Sequence, residues 1–204
     1  MRSKLALSVL AGLGLAFAQP AAAARDFNAL LDGEYMLTGF ASCITSASGF
    51  NAALQALPPG PGQPPASVNA FSVQGTRVFH GDGTGIDTGI SVFVNIPNQS
   101  GFGGGAGSSS FTGTFTYTVE HDLTVTIHQA PFASTSLTGS GVGTVSQIAG
   151  VPDFKGRISE DLRTIIMQHE TPAVETITTG GVTRYRICNR ERTATKVKHR
   201  RHDD

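Results

Sequence analysis

Tryptophan is absent from the chain, cysteine occurs only twice, and charged residues make up 15% of it. After Ala18 no apolar run approaches the roughly 20 residues that a membrane-spanning helix needs. No H-x-H, H-E-x-x-H or C-x-x-C occurs, so the sequence carries no metal signature. A nucleophile elbow is missing too. GSGVG (139–143) and GAGSSS (105–110) lack the G-x-S-x-G order between a strand and a helix that would expose a reactive serine. These absences leave serine-nucleophile and metal chemistry poorly supported by the sequence, and no cofactor is expected.

The start of the chain, MRSKLALSVLAGLGLAFAQPAAAARDF, sets Arg2 and Lys4 before an apolar run from Leu5 to Ala18 and a series of small residues. That is the layout of a secretory signal peptide, too short to span a bilayer comfortably. Cleavage is expected after Ala24, in the site Ala22-x-Ala24; Ala16-x-Ala18 is the alternative. The expected location is therefore secreted or periplasmic, with no transmembrane segment after cleavage. Removing residues 1–24 leaves 180 of the 204, the size of one domain.

The formal charge of zero hides an asymmetry. Residues 25–189 carry seven Lys or Arg against twelve Asp or Glu, and residues 190–204 carry six against three. RERTATKVKHRRHDD has no apolar periodicity and reads as a solvated terminus, so the domain is bounded at 25–190 and a basic disordered tail at 191–204. Such a tail touches anionic surfaces or nothing, and no specific nucleic-acid partner is expected. In an exported protein, Cys43 and Cys188 are expected to form a disulfide. It would fasten the first strand region to the last.

Between the ends lie 25 glycines and many threonines and serines, with Val, Ile, Phe and Tyr recurring between turn signals. FTGTFTYTV (111–119) alternates strictly, placing Phe111, Phe115, Tyr117 and Val119 on one face and threonines on the other. LTVTI (123–127) repeats the pattern, and His121-Asp122 between them leaves room only for a tight hairpin. FHGDGTGI (79–86) resembles a phosphate or calcium loop at first sight. A phosphate loop needs a helix after its glycines, yet residues 86–96 read as strand. Calcium needs more oxygen ligands than Asp82 and Asp87 supply. The segment resembles VEHDLTVTI (119–127) and ISEDLRTII (158–166), so Asp82, Asp122 and Asp161 are all predicted to mark strand-to-strand bends.

The strand reading is 33–42, 67–80, 84–96, 109–120, 123–131, 143–149 with 154–159, 162–169, 173–179 and 182–190. Only NAALQAL (51–57) suggests a short helix. An all-β fold follows: a closed antiparallel β-barrel of about eight strands, because closure hides strand edges, with a two-sheet sandwich as the alternative. ALPPGPGQPPAS (56–67) and NQSGFGGGAGSSS (98–110) are long loops, read either as surface insertions or as a lid over one mouth.

Phe111, Phe115, Tyr117, Val125 and Ile127 form the strongest apolar group, filling a narrow barrel or lining a wider one. His128 continues the Thr124/Thr126 face. Pointing inward it would orient a ligand or move a proton, but the aromatic side should take the core and turn it outward. These six are the candidate ligand-contacting residues. His80 and His121 read as solvated turn residues, and His169 with Glu170 as the end of a strand. Tyr185, Arg184 and Arg186 are placed to meet Tyr35 and Glu34 where the sheet closes.

DGEYMLTG (32–39) resembles the G-x-W opening of the first strand in lipocalins and other calycin barrels, with Tyr35 in the aromatic place after Gly33 and no Trp. In that family an arginine of the last strand packs over the aromatic, which implies Arg184 or Arg186 here. The resemblance implies an eight-stranded barrel that binds a small apolar molecule. The outline is also similar to allene oxide cyclase and dirigent barrels, which guide a cyclisation or coupling in an apolar cavity. Three functions follow: an exported, non-catalytic barrel binding a small hydrophobic molecule; a surface or interaction protein without a pocket; and a cyclase or isomerase using the cavity. The first is the leading expectation. The oligomeric state leaves no trace in the sequence.

Overall fold

Alternating apolar and polar residues, bounded by turn chemistry, form eleven strands in the computed structural model, which describes residues 27–96, 105–139 and 141–198. They are β1 (Asp32–Ser46), β2 (Ser67–His80), β3 (Thr84–Ile96), β4 (Gly105–Val119), β5 (Thr124–Gln129), β6 (Phe132–Thr138), β7 (Val145–Ala149), β8 (Phe154–Ile158), β9 (Thr164–His169), β10 (Glu175–Thr179) and β11 (Val182–Lys196). All belong to one antiparallel sheet. The order β1-β2-β3-β4-β5-β8-β9-β11 closes because β11 pairs back onto β1 from Tyr35↔Lys196 to Ser46↔Tyr185. The result is a barrel-like ring of eight strands, not a two-sheet sandwich.

Three wall positions are broken at mid-height. β4 pairs with β5 through Phe115–Val119 and with β6 through Ser108–Thr112. β11 likewise pairs with β9 through Glu191–Thr195 and with β10 through Val182–Arg186. Thus β5 continues into β6, β7 into β8 and β9 into β10, and the chain runs up and down around the ring. Each break contains a proline: Pro131, Pro152 or Pro172. Proline has no N–H to give to the ladder, so pairing stops there and resumes beyond it.

The lower half of the ring is filled. The Phe79 ring meets Tyr35, Phe115 and Tyr117 edge-on at centroid distances of 5.2, 5.3 and 4.9 Å. A 3-10 turn, Phe27–Leu30, closes this end. The Tyr117 hydroxyl donates to the carbonyls of Leu31 (2.9 Å) and Asn28 (3.1 Å), and the Asn28 side chain accepts from the Val119 N–H at 2.8 Å. The three aspartate bends lie at this end too. Asp82, Asp122 and Asp161 each accept the backbone N–H two residues on, at 2.9, 3.0 and 3.1 Å. Asx turns of this kind favour Asp by letting its side chain stand in for a backbone carbonyl.

Cys43 and Cys188 are bonded, and they are direct partners in the β1–β11 register. The disulfide, and the lack of any helix among the described residues long and apolar enough to cross a membrane, are compatible with an extracellular or periplasmic protein. The signal peptide expected at 1–24 lies outside the described residues.

Several boundaries differ from the sequence reading. β6 was not expected, since FASTSLT is mostly small and polar. β4 begins at Gly105, so residues 105–110 are strand rather than loop; Phe102 lies outside the described residues. NAALQAL forms a turn, because the Asn51 side chain accepts the N–H groups of Ala53 and Gln55 at 3.0 Å each and diverts the backbone from a helix. β11 runs on through residues 191–196, assigned above to the tail. There Arg192 and Ala194 face inward and are buried, a pattern that charge content alone does not reveal.

Candidate functional site

The upper half of the ring is hollow. Its cavity measures about 550 Å³ and is walled by Phe71, Phe93, Phe111, Phe132 and Phe154, with serines and asparagines between them. Gly89 makes room for one of these rings. A Cβ there would meet Phe111 Cζ at 2.8 Å and the Gln74 carbonyl at 2.5 Å.

Strand alternation aims the charged groups inward. On β11 the inward face is set by buried Cys188, and the same parity carries Arg184, Arg186, Arg190 and Arg192 into the cavity wall. Arg77 of β2 and Asp87 of β3 are direct register partners and form a fork, Nε to Oδ1 at 2.7 Å and Nη2 to Oδ2 at 2.5 Å. The Arg77 guanidinium lies 4.7 Å over the Phe115 ring, so this pair is the floor between cavity and filled half.

Glu175, at the start of β10, is fully buried and bridges two arginines. It accepts from Arg186 Nε at 3.0 Å and Nη2 at 2.7 Å, from Arg190 Nη2 at 2.6 Å, and from Arg190 Nη1. Burial alone would raise its carboxyl, but the hydrogen bonds and charge of Arg190, then of Arg186, outweigh that and hold it below the usual carboxylate range. Burial in turn lowers Arg186.

Arg192 differs from its neighbours. It is 7% exposed and, among the described residues, has no carboxylate within ion-pair distance. Its Nη1 donates to two backbone carbonyls, Phe40 at 2.9 Å and Glu191 at 2.8 Å. Gly39 leaves the space it occupies, since a Cβ there would stand 2.8 Å from Nη1. Its guanidinium lies 5.9 Å from the ring centres of both Phe71 and Phe154. Burial, followed by repulsion from Arg190 and Arg77, pushes it down to about 9.

The candidate residues from the sequence separate into three places. Phe111 lines the cavity. Phe115, Tyr117, Val125 and Ile127 are buried in the filled half. His128 lies on the outer face, its side chain half exposed and 2.7 Å from Asp153. His80 bonds Thr84 at the lower rim, His121 is exposed, and Glu170 pairs with Lys155 on the surface. His169 is buried at mid-height, its ring 4.3 Å from Phe154 and its Nδ1 3.4 Å from the Cys188 carbonyl.

The meeting of Arg184 or Arg186 with Tyr35 does not occur. Arg186 pairs with Thr45 at the far end of β1, and the cation over Tyr35 is Lys196, 5.6 Å from the ring centre. The sequence reading missed the arginine wall, although R-x-R-x-C-x-R-x-R (184–192) repeats with the period of a strand. The guanidiniums in this lining are cations, and Asp87, the carboxylate in it, is engaged by Arg77. No group of three or more His, Cys, Asp or Glu suited to a metal occurs among the described residues. No protein-family model matches the chain, and no curated protein matches it.

Proposed function

We propose that this is an exported, non-catalytic binding protein that holds one small molecule with a largely apolar body inside its barrel-like ring. The observation that carries the reading is the hollow upper half, about 550 Å³ with five phenylalanines in its wall, set above a filled aromatic lower half. Ligand sites are typically concave, roughly 300–1,000 Å³, and mainly apolar with a few placed polar groups. The disulfide and the leader-like first 24 residues support secretion to the periplasm or beyond. The likeness of DGEYMLTG to the opening strand of calycin barrels points the same way, with Lys196 taking the place over Tyr35 that an arginine holds in that family.

Titration with N-phenyl-1-naphthylamine, an uncharged apolar dye, tests the reading. Saturable binding at one site per chain is expected, and Ser91→Phe, which adds a ring to the cavity wall, should weaken it at least tenfold. Dye that fails to bind, or that binds equally well to Ser91→Phe, removes the cavity from the function.

A further inference from the structure

We infer that the molecule held in this cavity is an organic acid, an apolar body carrying one compact anionic head, and that Arg192 receives the head. The inference rests on the binding reading above and narrows its ligand class.

Charge is the first argument. Five arginines belong to the cavity wall: Arg77, Arg184, Arg186, Arg190 and Arg192. Against them stand two carboxylates, Asp87 and Glu175, so five minus two leaves three positive charges unmatched. A desolvated charge without a counter-ion is costly, and buried charges are ordinarily paired. Most of these cations are accounted for individually. Arg77 is held by Asp87, Arg186 and Arg190 share Glu175, and Arg184 is exposed to solvent.

Arg192 is the exception. It is buried and lines the cavity, and the acceptors it does have are neutral carbonyls on one nitrogen. Those two bonds and the space over Gly39 fix its plane, which suits an arginine fork for a carboxylate, sulfonate or phosphate head. Burial, and after it repulsion from Arg190 and Arg77, disfavours its charged form more than Asp87 and Glu175 support it, and a bound anion would favour that form. Geometry then orders the ligand. The head goes down toward the Arg77–Asp87 floor, and the body stands up among Phe93, Phe111 and Phe132, which line the same cavity.

The test uses two dyes of one scaffold. 8-Anilino-1-naphthalenesulfonate is N-phenyl-1-naphthylamine with a sulfonate added, so the pair isolates the anionic head. The wild-type protein should bind the sulfonate at least tenfold more tightly than the uncharged dye, and added salt should narrow the gap. Arg192→Met should abolish the preference while leaving the uncharged dye bound. Arg192→Lys, which keeps the charge and loses the fork, should retain part of it.

Equal binding of the two dyes by wild type overturns the organic-acid inference and leaves the cavity reading standing. Failure of both to bind overturns the cavity reading itself. A preference that survives in Arg192→Met overturns the role of Arg192. Should Arg192→Met not fold, the wild-type dye comparison and Arg192→Lys still decide.

Discussion

Cys43 and Cys188 stand directly opposite each other where the last strand meets the first, their Cα atoms 4.1 Å apart and their sulfurs joined. The bond spans 145 residues, and it seals the one seam of the ring that joins the two ends of the chain. Restricting so long a loop in the unfolded chain is worth up to about 4–5 kcal/mol in the chain-entropy account. Reduction, or the double change Cys43→Ser/Cys188→Ser, should therefore lower the guanidinium midpoint strongly. A midpoint indifferent to reductant would mean that the β1–β11 ladder and the aromatic core close the ring unaided.

Glu175 is the second fastening, and its loss should be felt more than that of any surface carboxylate. Glu175→Gln leaves Arg186 and Arg190 buried without their shared counter-ion. Breaking a buried pair by removing one partner costs about 3–5 kcal/mol. Glu170→Gln, which breaks an exposed contact with Lys155, should cost under about 1 kcal/mol. Urea unfolding of the two variants side by side measures the contrast, and equal losses would mean that Glu175 is not the clamp described.

The lower half of the ring was legible in the sequence because local chemistry and burial agree there. Phe115, Tyr117 and Val119 alternate with exposed threonines, and in each aspartate bend the Asp side chain accepts the backbone N–H two residues on. The upper half reverses that logic. Ile90, Val92, Val94 and Ile96 stand about half exposed on the outer face of β3, while Ser91 and Asn95 line the cavity. Hydropathy alone turns such a strand the wrong way, because it prices each residue as if it had no partner. Arg190 and Glu175 are 15 positions apart, and Arg77 and Asp87 are 10. Their mutual neutralisation exists only once the register is known. The arginine wall was missed for that reason.

Glycine within the strands should be as sensitive as the core. Gly89 lies under the Phe111 ring, and an alanine methyl there would collide with that ring and with the Gln74 carbonyl. Gly89→Ala should destabilise by about 1–3 kcal/mol, the usual range for forcing extra atoms into a packed site. Because Phe111 must move, dye binding should weaken as well. Thermal unfolding and titration of the one variant check both effects, and an unchanged melting temperature would mean that the wall at this point is loose.

His169 should make the protein sensitive to mild acid. Burial, then the charge of Arg190, hold its imidazole down to about 4 against an ordinary 6.5, and its Nε2 is buried with no hydrogen-bond partner among the described residues. The folded protein therefore keeps this ring neutral at pH values where the unfolded chain protonates it. Between pH 6.5 and 4 the unfolded state binds more protons, so stability rises with pH across that window. The contribution is fully present above pH 6.5 and drains away as the pH falls toward 4. At 1.36 kcal/mol per pH unit the loss reaches about 2 kcal/mol by pH 5. His169→Phe keeps a ring against Phe154 and removes the proton site, so its stability should be flatter than wild type between pH 6.5 and 5. Urea midpoints at half-unit intervals compare the two slopes. If the slopes coincide, the acid sensitivity of this fold belongs to its carboxylates and not to the imidazole at its waist.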